Sequence, residues 1–366
     1  QFAHEQRIEP YEVIDFSANI NPLGPSQLGL SALESQLQYI SHYPDATNDD
    51  ILNAIADIYG MNKNQIVVGN GAAELLYAIC RLPGYTGAFV PAPGFSEYKA
   101  ALEASRIPVR DIYYRPREDE HGKPYFEVPY LALETFAAEL KGQDGRIIVF
   151  LGNPNNPDGT LLDKNHIRTI ASMLKDANSL LVIDESFIDF VGNDTLQDNE
   201  YSMRSLVNEF DNIIVVHSFT KFYAVPGLRI GAAFSNPLII EQLNSFIPTW
   251  SVNTLAQSYT EAALNDVEYV KRTKQVLHEE QLFMYNSLDT IDGITVYPPS
   301  ANFMLFHIEQ EGITAESINE ALKKYNMIVR NCDSYMGLNN QWVRVAIKDH
   351  DTNVKLVEKL TDILKV

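Results

Sequence analysis

The sequence predicts an α/β fold in which a mainly parallel central sheet carries helices on both faces and is joined to a smaller α+β domain. Three observations carry this reading. Short apolar runs alternate with helical patterns through the middle of the chain, the runs are apolar throughout rather than at every second residue, and each ends in glycine or polar residues. Continuously apolar strands are buried on both faces, as in parallel sheets flanked by helices.

In order, Ile66-Val67-Val68 leads into Gly69-Asn70-Gly71 and a helical pattern from Ala72 to Cys80. Ala88-Phe89-Val90 is followed by Pro91-Ala92-Pro93-Gly94, and Arg146 to Leu151 by Gly152-Asn153-Pro154-Asn155-Asn156-Pro157-Asp158-Gly159. Leu180 to Ile183 ends at Asp184-Glu185, and Ile213 to Val216 ends at the segment around Lys221. Beyond about Asn244, helical stretches (Thr260 to Tyr285, Ala315 to Tyr325, Val354 to Val366) frame short strands near Ala301 to His307 and Trp342 to Ile347. A chain of 366 residues exceeds one typical domain. The expected division is an N-terminal arm contributing to the small domain (1–44), a large domain (45–244) and a small C-terminal α+β domain (245–366).

Composition narrows the function. Hydrophobic residues make up 45% and charged residues 21%, an ordinary globular balance. No apolar stretch approaches the roughly 20 residues of a membrane span, and Gln1 to Pro10 lack the basic and apolar regions of a signal peptide. Gln1 is not an initiator methionine, which is consistent with further residues upstream. Cys80 and Cys332 form neither a disulfide framework nor metal-ligand spacing, so no metal site is expected and a reduced, cytoplasmic setting is. The net charge of −20 argues against nucleic acid as a partner.

The chemistry centres on Lys221, in Ser218-Phe219-Thr220-Lys221-Phe222-Tyr223-Ala224-Val225-Pro226-Gly227-Leu228-Arg229. A lysine at the end of a buried strand loses its proton easily, because burial disfavours the ammonium. The neutral amine condenses with aldehydes. Ser218, Thr220 and Arg229 beside it are phosphate ligands, and an amine in that company suits pyridoxal phosphate (PLP). Asp184, at a strand end, could pair with a pyridine nitrogen, although a helix N-cap is an equal reading of such an aspartate. Asn156 is a turn residue in isolation and, beside PLP, a donor to the ring hydroxyl. Gly71, Ala72 and Ala73 open a helix whose free amides make an anion site. Phe95 could stack on the ring. Arg344 interrupts an apolar strand and needs an anionic partner, and Arg330 invites the same argument. In open α/β sheets ligands bind at the carboxyl ends of the strands, so Asn156, Asp184 and Lys221, following three different strands, should converge there.

Further segments carry a resemblance. They are Asp15-Phe16-Ser17-Ala18-Asn19-Ile20-Asn21-Pro22-Leu23-Gly24-Pro25, Tyr43-Pro44-Asp45, Pro93-Gly94-Phe95-Ser96-Glu97-Tyr98, Trp250-Ser251-Val252-Asn253, and Asn331-Cys332 through Met336-Gly337-Leu338, together with the lysine segment. With these the chain resembles, end to end, the fold-type I PLP enzymes of the aspartate-aminotransferase lineage. It is similar above all to the group of histidinol-phosphate aminotransferases and L-threonine-O-3-phosphate decarboxylases, and looks most like the decarboxylases of cobalamin biosynthesis. The resemblance implies that Lys221 carries the cofactor, Asp184 pairs with its ring nitrogen and Asn156 with its hydroxyl, and Phe95 stacks on it. It places the cofactor phosphate on Ser218, Thr220, Arg229 and the amides of Ala72 and Ala73. Tyr43 would reach the phosphate of the neighbouring subunit in a homodimer, and Asn21, Arg330 and Arg344 would grip a small, anionic, phosphorylated amino acid.

Two departures bear on the reaction. Histidinol-phosphate aminotransferases usually carry tyrosine where this chain has Phe187, which the decarboxylases tolerate. Those decarboxylases also carry an N-terminal His-Gly-Gly segment that would fall before Gln1, and His4 does not replace it. The expected reaction is decarboxylation of L-threonine O-3-phosphate. The alternatives are transamination of histidinol phosphate or an aminophosphonate with 2-oxoglutarate or glutamate, and a PLP-binding module without turnover. Retention of Lys221, Asp184 and Arg229 speaks against the last.

Overall fold

The computed structural model describes residues 9, 12–140, 145–192, 195–197 and 199–365; the expectations attached to residues 1–8, His4 among them, and to Val366 lie outside the described residues. The central sheet has seven strands: β1 (Ile66–Gly69), β2 (Tyr85–Ala92), β3 (Val109–Tyr113), β4 (Arg146–Gly152), β5 (Leu180–Asp184), β6 (Ile213–Ser218) and β7 (Gly231–Phe234). Their order is β1-β7-β6-β5-β4-β2-β3. The pairs from β6 to β3 are parallel, and β7 is antiparallel to both of its neighbours.

Five of these strands are the apolar runs read from the sequence. β3 escapes that reading because Val-Arg-Asp-Ile-Tyr is an edge strand with charged residues. β7 escapes it because Gly-Ala-Ala-Phe carries no β-branched residue, although all four positions are buried.

The sheet is covered on both faces, and successive residues of a strand serve different cores. Val149, Leu151, Leu181, Ile183 and Val215 pack in one cluster, while Ile148, Phe150, Val182, Ile214 and Val216 pack in another. This two-residue alternation between two apolar layers explains why the runs Ile147–Leu151, Leu180–Ile183 and Ile213–Val216 are apolar at every position.

A second, antiparallel sheet is built from β8 (Ile294–Val296), β9 (Phe303–Ile308), β10 (Arg330–Asn331) and β11 (Trp342–Ala346), ordered β8-β9-β11-β10. The N-terminal arm packs with it: Ile14–Asp15 forms a separate two-stranded parallel pair with Met327–Ile328, and Phe16 is buried in the same cluster as Met304, Val345 and Leu360. The stretch Thr260 to Tyr285, read as one helical segment, is two helices, Thr254–Leu264 and Val267–Leu288. The chain breaks at Asn265-Asp266, where the Asp266 carboxylate accepts the Tyr269 amide and caps the second helix. That second helix runs from one cluster to another, with Leu277 in the core of the large sheet and Met284 in that of the small one. Among the described residues no helix is long and apolar enough to cross a membrane, and no group of metal-ligating side chains is present.

Candidate active site

Three adjacent strands deliver the predicted residues to one place. In the parallel register Gly152 pairs with Asp184, and Asp184 with Val216, so β4, β5 and β6 end side by side. Phe95, Tyr98, Pro154, Asn156, Asp184, Ser186, Phe187 and Lys221 line a single pocket there. The convergence expected at the carboxyl ends of the strands is therefore observed. A larger cleft lined by Leu82, Tyr85, Arg146 and Asn212 lies at the opposite ends of the strands, away from this set.

Lys221 sits in the single turn Phe219–Phe222 that follows β6. Its Nζ donates to Ser218 Oγ at 2.8 Å, and Ser218 Oγ lies 2.9 Å from Thr220 Oγ1. Burial lowers the amine's pKa to about 8; the Asp184 charge opposes this shift and Arg229 adds to it. At neutral pH roughly a tenth of such an amine is unprotonated, several hundred times more than of an ordinary lysine. The ring of Phe187 lies with its centre 5.7 Å from Nζ and packs edge-on against Phe303.

Asp184 is nearly buried, at 6% exposure, and both its oxygens are engaged. Oδ2 accepts the Tyr98 hydroxyl at 2.8 Å and Oδ1 accepts the Ser186 amide at 2.9 Å. A carboxylate has about four lone-pair sites, so a further donor in the pocket can still be accepted.

Asn156 is held by its oxygen. Oδ1 accepts from Arg344 Nη1 and, at 3.4 Å, from Tyr335 OH. A guanidinium only donates, so the bonded atom is the amide oxygen, and Nδ2 remains the donor available to the pocket. The loop itself is braced from below. Asn153 Nδ2 donates to Glu185 Oε1 at 3.0 Å, and Asn155 Nδ2 donates to the Pro93 carbonyl at 3.0 Å, which ties this loop to the one bearing Phe95.

Arg344 is 6% exposed in β11. Nη2 donates to the Ser17 carbonyl at 2.7 Å and Nη1 to Tyr335 OH at 3.2 Å, while Nε is buried without a partner. No carboxylate forms an ion pair with it among the described residues, and burial lowers its pKa. A buried guanidinium without a carboxylate is costly unless an anion arrives. Arg330 pairs with Arg344 across β10 and β11; it is exposed and donates to Ser334 Oγ at 3.0 Å.

The residues expected to hold a phosphate come together where β1, β7 and β6 meet. Gly231 is in register with both Gly69 and Ser218, which brings the start of helix α1 (Gly71–Ile79), Arg229 and Ser218 to one level. The N-cap residue Asn70 makes no side-chain cap, which leaves the amides of Ala72 and Ala73 as donors an anion could use. Gly71 has φ +79°, and a Cβ there would run into the Arg229 guanidinium; a Cβ on Gly231 would lie 2.6 Å from the Ala72 nitrogen. Arg229 itself has φ +61°, a strained conformation that costs on the order of 1–3 kcal/mol.

The other predicted residues lie as follows. Phe95 lines the pocket and meets Tyr98 edge-on at 5.7 Å. Tyr43 is 79% exposed and stacks on Trp250 at 4.5 Å, outside the pocket of its own chain. Asn21 is a correction. Its Nδ2 has three acceptors in reach for its two hydrogens, the Phe222 carbonyl (2.7 Å), Tyr269 OH (3.0 Å) and Thr273 Oγ1 (2.9 Å), and its Oδ1 accepts the Leu23 amide. With 3% exposure and no donor to spare, it braces the lysine turn and does not grip a substrate. Sequence reasoning missed Tyr98 and Tyr335, the hydroxyls behind Asp184 and Asn156. Tyr98 had one signal: it follows Phe95 by three residues, one helical turn.

Amine, carboxylate, amide donor, aromatic face and anion cup together fit PLP, and the fold and pocket define a PLP-dependent enzyme of fold type I. Residues 11–360 match the aminotransferase class I and II family, to which this chain belongs. Over 355 residues it is 33% identical to the adenosylcobalamin biosynthesis bifunctional protein CobDQ of Leptospira interrogans, covering 97% of this chain and 39% of that protein, so it spans well under half of that relative. It is 32% identical over 363 residues to the threonine-phosphate decarboxylase of Salmonella typhimurium, covering 98% and 93% of the two chains. The solved histidinol-phosphate aminotransferase from Clostridium acetobutylicum is 26% identical with a TM-score of 0.85, covering 96% and 99%.

Proposed function

We propose that this chain decarboxylates L-threonine O-3-phosphate, taking up a proton and releasing CO₂ and (R)-1-amino-2-propanol O-2-phosphate. The observation that carries the reading is Phe187. It lines the pocket beside Lys221 where histidinol-phosphate aminotransferases usually present a tyrosine hydroxyl. The likeness to the Salmonella typhimurium decarboxylase over nearly the whole chain supports it.

PLP, when bound, supplies an electron sink for the pair left on the substrate Cα after bond cleavage. The remaining work falls to the chain. Lys221, poised near neutrality, carries the cofactor and then delivers the proton that replaces the lost carboxylate. Asp184 holds the ring-nitrogen proton and Asn156 Nδ2 donates to the ring hydroxyl. Ser218, Thr220, Arg229 and the amides of Ala72 and Ala73 hold the cofactor phosphate, and Phe95 covers the ring. Arg344 and Arg330 would hold the substrate's anionic groups and so set which bond at Cα is presented for cleavage. Phe187 leaves the lysine as the proton-transfer group on its side. Tyr43 and Trp250, with Leu37, Tyr39 and Ile40 exposed nearby in sequence, suit a face shared between two copies of the chain, with Tyr43 reaching the partner's cofactor phosphate.

The likeness to the Clostridium acetobutylicum enzyme favours a second reading, transamination of histidinol phosphate. One assay separates them. The PLP-loaded protein is given L-threonine O-3-phosphate and CO₂ is followed; in parallel it is given histidinol phosphate with 2-oxoglutarate and glutamate is followed. CO₂ from the first upholds decarboxylation. Glutamate from the second without CO₂ from the first replaces it with transamination.

A further inference from the structure

Tyr98 occupies a position that the family resemblance does not assign. Its hydroxyl is 2.8 Å from Asp184 Oδ2. Its ring lies nearly parallel to Phe150 of β4 (5.3 Å, 15°) and meets Phe95 edge-on (5.7 Å, 86°). At 3% exposure in the helix Glu97–Ala104, it touches the underside of two residues that face the pocket.

We infer that Tyr98 is a positioning residue for Asp184: its hydroxyl fixes the orientation of the carboxylate so that the remaining lone pairs meet the cofactor's ring nitrogen. This rests on Asp184 facing that nitrogen. Asp184 is the last residue of β5, where the strand's pairing ends, and the backbone holds its side chain only through the Ser186 amide on Oδ1. Two donors approaching from Tyr98 and Ser186 leave the carboxylate one way to face. The phenol is itself rigid, clamped by the Phe150 stack, so it acts as a fixed point. Burial, and then the Asp184 charge, push its pKa well above the ordinary value, so it stays a donor at every working pH.

Orientation for a ring nitrogen differs from general packing in one measurable way: it matters only when the ring has that nitrogen. The test compares apoprotein affinity for PLP and for its 1-deaza analogue, in which a C–H replaces the ring nitrogen, in the parent and in Tyr98→Phe. Phenylalanine keeps the stack on Phe150. We expect Tyr98→Phe to weaken PLP about tenfold, the scale of one charge-assisted hydrogen bond, and to leave the deaza analogue within about twofold. Asp184→Asn should abolish the parent's preference for PLP, and adding Tyr98→Phe to it should do nothing more. Phe150→Leu, which loosens the same stack without touching Asp184, should weaken both ligands alike. Equal weakening of both ligands by Tyr98→Phe, or of neither, would overturn the inference and leave Tyr98 a packing residue. A parent that shows no preference for PLP over the deaza analogue would instead overturn the assignment of Asp184 to the ring nitrogen, and this inference with it.

Discussion

Arg344 Nη1 donates to Asn156 Oδ1, so the side chain assigned to the substrate and the side chain assigned to the cofactor hydroxyl are bonded to each other. The bond joins β11 of the small sheet to the loop after β4 of the large one.

Arg344→Ala should therefore act twice. Loss of a buried charged contact is worth a few kcal/mol, so kcat/KM should fall by about 100-fold, mostly through KM. Because Asn156 loses its anchor, the visible absorption band of the bound cofactor should also move. Steady-state kinetics and an absorption spectrum of the same preparation check both, and an unmoved band would show that Asn156 is held without Arg344.

Lys221→Ala should abolish the cofactor's visible band and turnover together, as recorded by spectrum and product assay. Lys221→Met adds a pH signature in the apoprotein. The folded-state pKa of about 8 lies below that of an unfolded lysine, so the unfolded chain binds more protons between the two values. The lysine's destabilising effect is then full below about pH 8 and fades as pH rises toward the unfolded pKa. Denaturant unfolding should find Lys221→Met more stable than the parent at pH 7, with the gap closing by about pH 10.

Gly71→Ala places a methyl group against the Arg229 guanidinium at a residue with positive φ. PLP affinity should fall by about tenfold or more, the sum of backbone strain and a displaced phosphate ligand. Pyridoxal, which lacks the phosphate, should bind the variant and the parent alike in the same titration.

Phe187→Tyr restores a hydroxyl beside Lys221. Under the proposed decarboxylation, the CO₂ yield per turnover should fall and products of side transamination should rise, read by the ratio of CO₂ to keto product. An unchanged ratio would remove Phe187 as the residue that decides the reaction.

Asn21→Ala should cost about 2–4 kcal/mol of stability, since three hydrogen bonds, two from the amide hydrogens and one to its oxygen, are lost in a buried site. KM for substrate should change little in the protein that remains folded. A large KM effect without destabilisation would return Asn21 to the substrate site.

What could be read from the chain depended on how local the determinant was. Asp184 and Lys221 stand at the ends of apolar runs, and a strand end is a property of a few consecutive residues. The amide-bearing start of α1 is equally local, announced by Gly69-Asn70-Gly71. Asn21 was assigned wrongly because its partners are Phe222, Tyr269 and Thr273, some 200 to 250 residues away. No neighbouring residue signals that its amide is spent. Tyr335 belongs to the same class, since only the pairing of the small sheet brings it to Arg344 and Asn156. The strand β7 failed for a different reason: its small residues fit between β1 and β6 because of what surrounds them, not through any propensity of their own.

The reversed direction of β7 has a mechanical consequence. Because it runs against its neighbours, the chain need not travel back across the sheet between leaving β6 and entering β7. It turns on the spot, and the short loop so formed carries Lys221 at one end and Arg229 at the other. Under the proposed function the covalent and ionic anchors of the cofactor therefore share one tether, fixed at both ends to adjacent strands of the central sheet. The register of β6 with β7 then sets the span between those two anchors as a fixed gauge.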